Sequence, residues 1–124
     1  MNSNKILLID DELIPRKVIS STLERAGYTV DTCENGQEGL NTLLNNEPNT
    51  YFLIILDWMM PIMDGIAFLH ELKKHASLLV IPVIMLTAVD DSTEVVQAIE
   101  AGATDYLTKP VDPAALLSLI EEFL

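Results

Sequence analysis

Asp10, Asp11 and Glu12 follow one short apolar run of the chain, Asp57 follows a second, and Thr87 and Lys109 follow two more. Ending the apolar run at 54–56 on a carboxylate is costly, because a desolvated carboxylate needs a cation or hydrogen-bond donors. The rest of the set offers a way to meet that cost. Two or three carboxylates, with a backbone carbonyl and water, suit Mg2+ or Mn2+, hard cations that prefer oxygen. A carboxylate can also act as a nucleophile and take a phosphoryl group as an acyl phosphate. That transfer needs charge neutralised on the phosphoryl oxygens, which a metal, a lysine and a hydroxyl can do. A purely structural ion-pair cluster is the weaker reading, since several acids facing one lysine would repel each other.

These residues can meet only if the four runs are neighbours, and the hydrophobic pattern says how. Short apolar runs alternate with helical periods. Residues 6–9 read as a strand, followed by a helix through Val18, Ile19, Leu23 and Ala26. Pro15 lies near that helix's start and Gly27 just past its end. Residues 28–33 alternate like a strand, and Leu40, Leu43 and Leu44 then recur at helical spacing. Asn35 with Gly36 is therefore read as a helix entry instead of a hairpin turn. Residues 52–56 form the third predicted strand and 65–74 a helix with Ile66, Leu69 and Leu72 on one side. Pro61 and the pair Asp64 and Gly65 shape the turn between them. Residues 82–86 are the fourth strand, and Asp91 with Glu94 resembles a capping pair for a helix with Val95, Ala98 and Ile99 inward. Residues 106–108 are the fifth, and Asp112 with Pro113 opens a last helix through Leu116, Leu117, Ile120 and Phe123.

Five strands alternating with five helices imply an α/β fold, a doubly wound parallel sheet covered on both faces. In such sheets ligands bind beyond the carboxyl ends of the strands. The acids, Thr87 and Lys109 all fall there.

Composition narrows the class further. At 124 residues, 49% hydrophobic and 21% charged, the chain fits one globular domain with a real core. No apolar run approaches the roughly 20 residues of a membrane span, and "MNSNK" leads directly into the first strand, so no signal peptide is expected. The lone Cys33 suits a small core residue in a reducing, cytoplasmic compartment. A net charge of −12 with only seven Lys and Arg argues against direct nucleic-acid binding.

The segments "ILLIDDE", "IILDWMMPIMDG", "IPVIMLTA" and "DYLTKP" resemble, in order, the conserved segments of the receiver domain of two-component response regulators. The intervals separating Asp10, Asp57, Thr87 and Lys109 fit as well. The resemblance implies a flavodoxin-like (βα)5 fold with strand order 2-1-3-4-5, residues 1–124 forming one receiver domain. It implies that Asp57 accepts a phosphoryl group from a phosphohistidine on a histidine kinase or histidine phosphotransfer protein docked near the first helix. Mg2+ (or Mn2+) would be held by Asp11, Asp57 and the Met59 backbone carbonyl, with Asp10 acting through a water. Lys109 would pair with the phosphoryl oxygens and form a cis bond to Pro110. Thr87 would donate its hydroxyl, Ala88 would leave room for the group, and Tyr106 would swing inward as Thr87 is drawn to it. The apolar Met59 and Val89 would hinder attacking water.

The resulting protein would be a phosphorylation-dependent signalling switch, catalysing only its own phosphorylation and dephosphorylation. Its output partner or output domain would meet the face made by the fourth helix, fifth strand and fifth helix, and a phosphorylation-dependent dimer is a further expectation. Two alternatives stay open at this point. One is a receiver-like scaffold that signals without phosphorylation. The other is a haloacid-dehalogenase-like phosphatase, which would want an acid where Met59 stands. A stand-alone regulator and a receiver cut from a longer one fit the sequence equally.

Overall fold

The computed structural model describes residues 4–88 and 92–124, with the side chain of Ser92 left out. The elements run β1 (Lys5–Ile9), α1 (Leu13–Arg25), β2 (Thr29–Cys33), α2 (Gly36–Leu44), β3 (Leu53–Asp57) and α3 (Gly65–Leu72). A 3-10 turn at Ala76–Leu78 leads to β4 (Val83–Thr87), α4 (Ser92–Ala101), β5 (Asp105–Thr108) and α5 (Pro113–Glu121). All strand pairs are parallel, in the order β2-β1-β3-β4-β5. The inner strands β1, β3 and β4 are buried almost throughout, while β2 and β5 carry polar residues and form partly exposed edges. This is the division that a sheet covered on both faces demands.

Two cores result. Leu7, Ile9, Ile54, Leu56 and Met85 pack on one face against α2, α3 and α4, around Phe68. Ile6, Leu8, Leu53, Ile55 and Leu86 pack on the other against Ile19 and Leu23 of α1 and Leu116 and Ile120 of α5. Each side chain so buried contributes about 1.5–3 kcal/mol, so the sheet that presents the site is anchored by the core on both faces.

Helix starts follow local chemistry. Asn35 caps α2 by accepting from the Glu38 amide at 2.8 Å, and Asp112 caps α5 by accepting from the Ala115 amide at 3.1 Å. Gly27, at φ +98 just beyond α1, takes a left-handed conformation that a side chain would disfavour. Glu12 occupies the N-cap position of α1 without a side-chain capping bond.

The structure departs from the sequence-based expectation in three respects. Asp57 and Thr87 close their strands instead of following them, because the ladder continues: the Trp58 amide donates to the Leu86 carbonyl at 3.1 Å, and the Lys109 amide to the Thr87 carbonyl at 2.7 Å. Val18, Leu44 and Ile99 are exposed. Each directly follows or precedes a buried residue, about 100° away around its helix, and the sheet covers only a narrow stripe of each helix. The 3-10 turn that buries Leu78 had no sequence signal. The Asp91–Glu94 cap and Val89 lie outside the described residues.

Candidate acidic metal site

In the register of β1 with β3, Ile9 lies opposite Leu56. The next residue of each strand is an aspartate, so Asp10 and Asp57 arrive side by side at the carboxyl edge. Strand alternation gives both the parity of Leu8 and Ile55, towards the face that α1 and α5 cover. The Asp10 amide donates to the Cys33 carbonyl at 3.0 Å, which extends the β1–β2 ladder to the site. Carboxylate oxygens of Asp10, Asp11 and Asp57 all lie within 4.8 Å of one another.

Burial makes this grouping expensive. Asp10 and Thr87 are fully buried and Asp57 is 1% exposed. Lys109 Nζ lies 2.5 Å from Asp57 Oδ1, and Asp10 Oδ1 accepts from the Glu12 amide at 3.0 Å. Asp10 Oδ2, Asp11 Oδ1, Asp57 Oδ2 and Thr87 Oγ have no hydrogen-bond partner among the described residues. Three carboxylates against one ammonium, with buried oxygens lacking donors, is a donor set that fits a hard divalent cation. The Trp58 carbonyl accepts from the Gly65 amide at 2.9 Å, whereas the Met59 carbonyl has no donor among the described residues. Met59 itself is exposed at the rim, so its carbonyl is compatible with the expected ligand role.

Burial pushes the Asp57 carboxyl up to about 6; Lys109 opposes that rise and Asp10 adds to it. Lys109 is partly desolvated, which lowers its pKa, yet Asp57, Asp10 and Glu12 together hold it above the ordinary lysine range. Asp57 thus binds its proton more tightly folded than unfolded, and without metal its ionisation costs stability as pH rises from about 4 to about 6. Asp57→Asn removes that dependence. The stability difference between this variant and the wild type, measured by urea unfolding with chelator, should grow across that interval to about 2 kcal/mol and then level off. A constant difference would contradict the assignment.

The loop from β3 to α3 shapes the site's outer wall. Asp64 caps α3 by accepting from the Ala67 amide at 2.8 Å, a role the sequence reading had missed. A Cβ on Gly65 would sit 3.0 Å from the Asp57 carbonyl oxygen, so only glycine lets α3 start this close to the strand end. Between them the Met63 amide closes back on the Pro61 carbonyl at 2.7 Å, around Ile62 at φ +70. A β-branched residue is strained there, and Ile62 is 82% exposed, so little packing compensates. Ile62→Gly should raise stability by about 1 kcal/mol, readable as a higher urea midpoint.

Thr87 pairs with Thr108 in the sheet and Met85 with Tyr106. Tyr106 is half-buried and packs against the core that includes Met85. The Lys109–Pro110 bond is cis, as expected. Ala88 is exposed beside Thr87. Cys33 is buried, its Sγ 3.4 Å from the Thr42 hydroxyl.

One residue in contact with the site was overlooked in the sequence. Arg16 Nη1 donates to the Asp10 main-chain carbonyl at 2.9 Å. Its signal was available: a cation in the first turn of a helix opposes the macrodipole and calls for a compensating contact.

The profile described as "Response regulator receiver domain" matches residues 6–121. The chain is 39% identical over 124 residues to "Probable transcriptional regulator ycf27" of Cyanophora paradoxa, covering all of itself and 49% of that protein. It is 38% identical over 124 residues to the "Phosphate regulon transcriptional regulatory protein PhoB" of Pseudomonas aeruginosa, of which it covers 53%. The chain therefore spans about half the length of the curated relatives it matches. Among solved structures, the chemotaxis response regulator CheY4 of Vibrio cholerae superposes with a TM-score of 0.89 at 31% identity, each chain covered completely. A putative response regulator from Chloroflexus aurantiacus superposes with a TM-score of 0.91 at 29% identity over 98% of each chain. Receiver domains are signalling modules switched by phosphorylation; they bind Mg2+ at an acidic pocket and work with histidine kinases and output domains. The profile match, the 2-1-3-4-5 sheet and an acidic pocket at its carboxyl edge agree: this chain belongs to the receiver-domain family of two-component response regulators.

Proposed function

We propose that Asp57 is the phosphoryl acceptor of this receiver, and that residues 1–124 act as one switching unit. The observation that supports this best is the trio Asp10, Asp11 and Asp57 with Lys109 on Asp57. Above about pH 6 the Asp57 carboxylate is ionised and nucleophilic. One of its oxygens forms the new O–P bond as the N–P bond of a phosphohistidine breaks, and the departing imidazole nitrogen keeps the electron pair and takes a proton. Lys109 then turns from Asp57 Oδ1 to the phosphoryl oxygens, and the Thr87 hydroxyl donates to them.

Asp11, Asp57 and the Met59 carbonyl hold Mg2+ (or Mn2+), with Asp10 acting through water. When bound, the ion supplies positive charge against the phosphoryl oxygens. Asp10, buried beside Asp57, keeps the pocket negative enough to prefer a dication.

Drawing Thr87 towards the phosphoryl group makes room for Tyr106 to move inward from the adjoining strand. Coupling through β4 and β5 then changes the face of α4, β5 and α5, where Val96 and Ile99 stand exposed. That face meets the output partner or a second copy. The phosphodonor is a cytoplasmic histidine kinase or phosphotransfer protein. With a charge of −12 the domain makes no direct nucleic-acid contact.

The test uses a small phosphodonor with Mg2+ and intact-mass measurement. One added phosphoryl group per wild-type chain is expected, and none in chelator; an unmodified wild type defeats the proposal. A fluoroberyllate complex should alter amide exchange in α4, β5 and α5. Unchanged exchange there would favour the phosphorylation-independent scaffold.

A further inference from the structure

Arg16 stands out among the chain's seven Lys and Arg residues. It sits in the first turn of α1, where the macrodipole disfavours a cation. Even so its side chain is only 11% exposed. One guanidinium nitrogen donates to the Asp10 carbonyl at 2.9 Å, and the other lies 3.5 Å from Glu34 Oε1, just after β2. Arg16 therefore ties the loop that carries Asp10 and Asp11 to the end of the neighbouring strand.

We propose that Arg16 is a positioning residue for the divalent-cation site, clamping the Asp10–Asp11 peptide so that both carboxylates face Asp57. This rests on the reading above that the three aspartates hold Mg2+. Three bonds orient the segment: the Asp10 amide to the Cys33 carbonyl, the Glu12 amide to Asp10 Oδ1, and Arg16 to the Asp10 carbonyl. The first fixes the strand end and the second the Asp10 carboxylate, leaving Oδ2 buried without a partner. Among the described residues, the third is the bond that holds the Asp10–Asp11 peptide carbonyl. The plane of that peptide decides where the Asp11 side chain leaves the main chain. Without Arg16 the carbonyl is free to rotate, and Asp11 leaves the position in which its Oδ1 is held beside Asp57.

Charge and positioning make opposite forecasts. Removing a cation close to a dication site relieves repulsion, so an electrostatic role alone predicts tighter Mg2+ binding after Arg16→Met. A positioning role predicts weaker binding, by about tenfold, the usual effect of losing a group that orients a metal ligand. Arg16→Lys keeps the charge but cannot span both the Asp10 carbonyl and Glu34, and should restore affinity only in part. Glu34→Gln leaves the Asp10 bond in place and should weaken binding by no more than about threefold.

The experiment titrates Mg2+ into wild type, Arg16→Met, Arg16→Lys and Glu34→Gln, by calorimetry and by the fluorescence of Trp58, the sole tryptophan and next to Asp57. Urea unfolding in chelator accompanies each titration to show that the variants are folded. Weaker binding by Arg16→Met with partial rescue by Lys supports the clamp. Equal or tighter binding by a folded Arg16→Met overturns it while leaving the three-aspartate site standing. Should Arg16→Met fail to fold, Arg16→Lys carries the test: weakened binding supports the clamp and wild-type affinity overturns it. A wild type that binds no Mg2+ overturns both the site and the clamp.

Discussion

Asp57→Asn should take up no phosphoryl group from a small donor in Mg2+, a loss of more than about a hundredfold that brings modification to background. The amide cannot attack phosphorus, and no other carboxylate among the described residues shares its place between Asp10 and Lys109. The variant should nevertheless fold, and fold better. Asp57 is 1% exposed and its carboxyl is raised to about 6, so at pH 7 without metal its charge opposes folding. Replacing it with a neutral isostere should stabilise the metal-free protein by about 2 kcal/mol. Lysine at position 109 would then lack its partner, but at 25% side-chain exposure it can reach water. Intact mass and urea unfolding in chelator check both halves. Undiminished phosphorylation of the variant would exclude Asp57 as the acceptor, and lost stability would exclude the view that its charge is held against a cost.

Lys109→Met is the complementary loss. It strands the buried Asp57 carboxylate with no cation among the described residues beside it. At pH 7 and without metal this should cost about 2–3 kcal/mol, the range for breaking a buried ion pair, less what protonation of Asp57 recovers. At pH 5 Asp57 already holds a proton in most molecules, since its carboxyl titrates near 6, and the cost should shrink to about 1 kcal/mol or less. The double variant with Asp57→Asn should recover much of the loss, because no stranded charge remains. Phosphoryl uptake should fall by about a hundredfold, as expected on removing one donor to developing negative charge. Urea unfolding at the two pH values, with mass measurement of uptake, separates the structural part from the catalytic part. A cost equal at both pH values would mean that Lys109 acts by packing alone.

These two residues also show what could be read from the one-dimensional chain. The strands that end just before Asp10 and on Asp57 and Thr87 were legible because inner parallel strands are apolar almost throughout, which sets them apart from helical periods. The last strand residue was placed one position early in β3 and β4. Composition marks where apolar character stops, while strand length depends on a neighbour's hydrogen bonds, such as Trp58 to Leu86. Val18, Leu44 and Ile99 were misjudged for a related reason: helical spacing gives the stripe's direction, and the width buried is set by the sheet beneath.

What the chain determines by itself is residue chemistry and order: which carboxylates, hydroxyl and ammonium exist, and that each follows an apolar run. The alternation of strands and helices already brings them to one edge. Only the tertiary structure decides that β1 lies against β3 in the register that sets Asp10 beside Asp57. Only it closes Lys109 onto Asp57 across β4, and turns Arg16 back onto the Asp10 carbonyl. Residues far apart in sequence meet through strand order, and strand order is settled by packing two helical layers against a twisted sheet, a global compromise with no local signature.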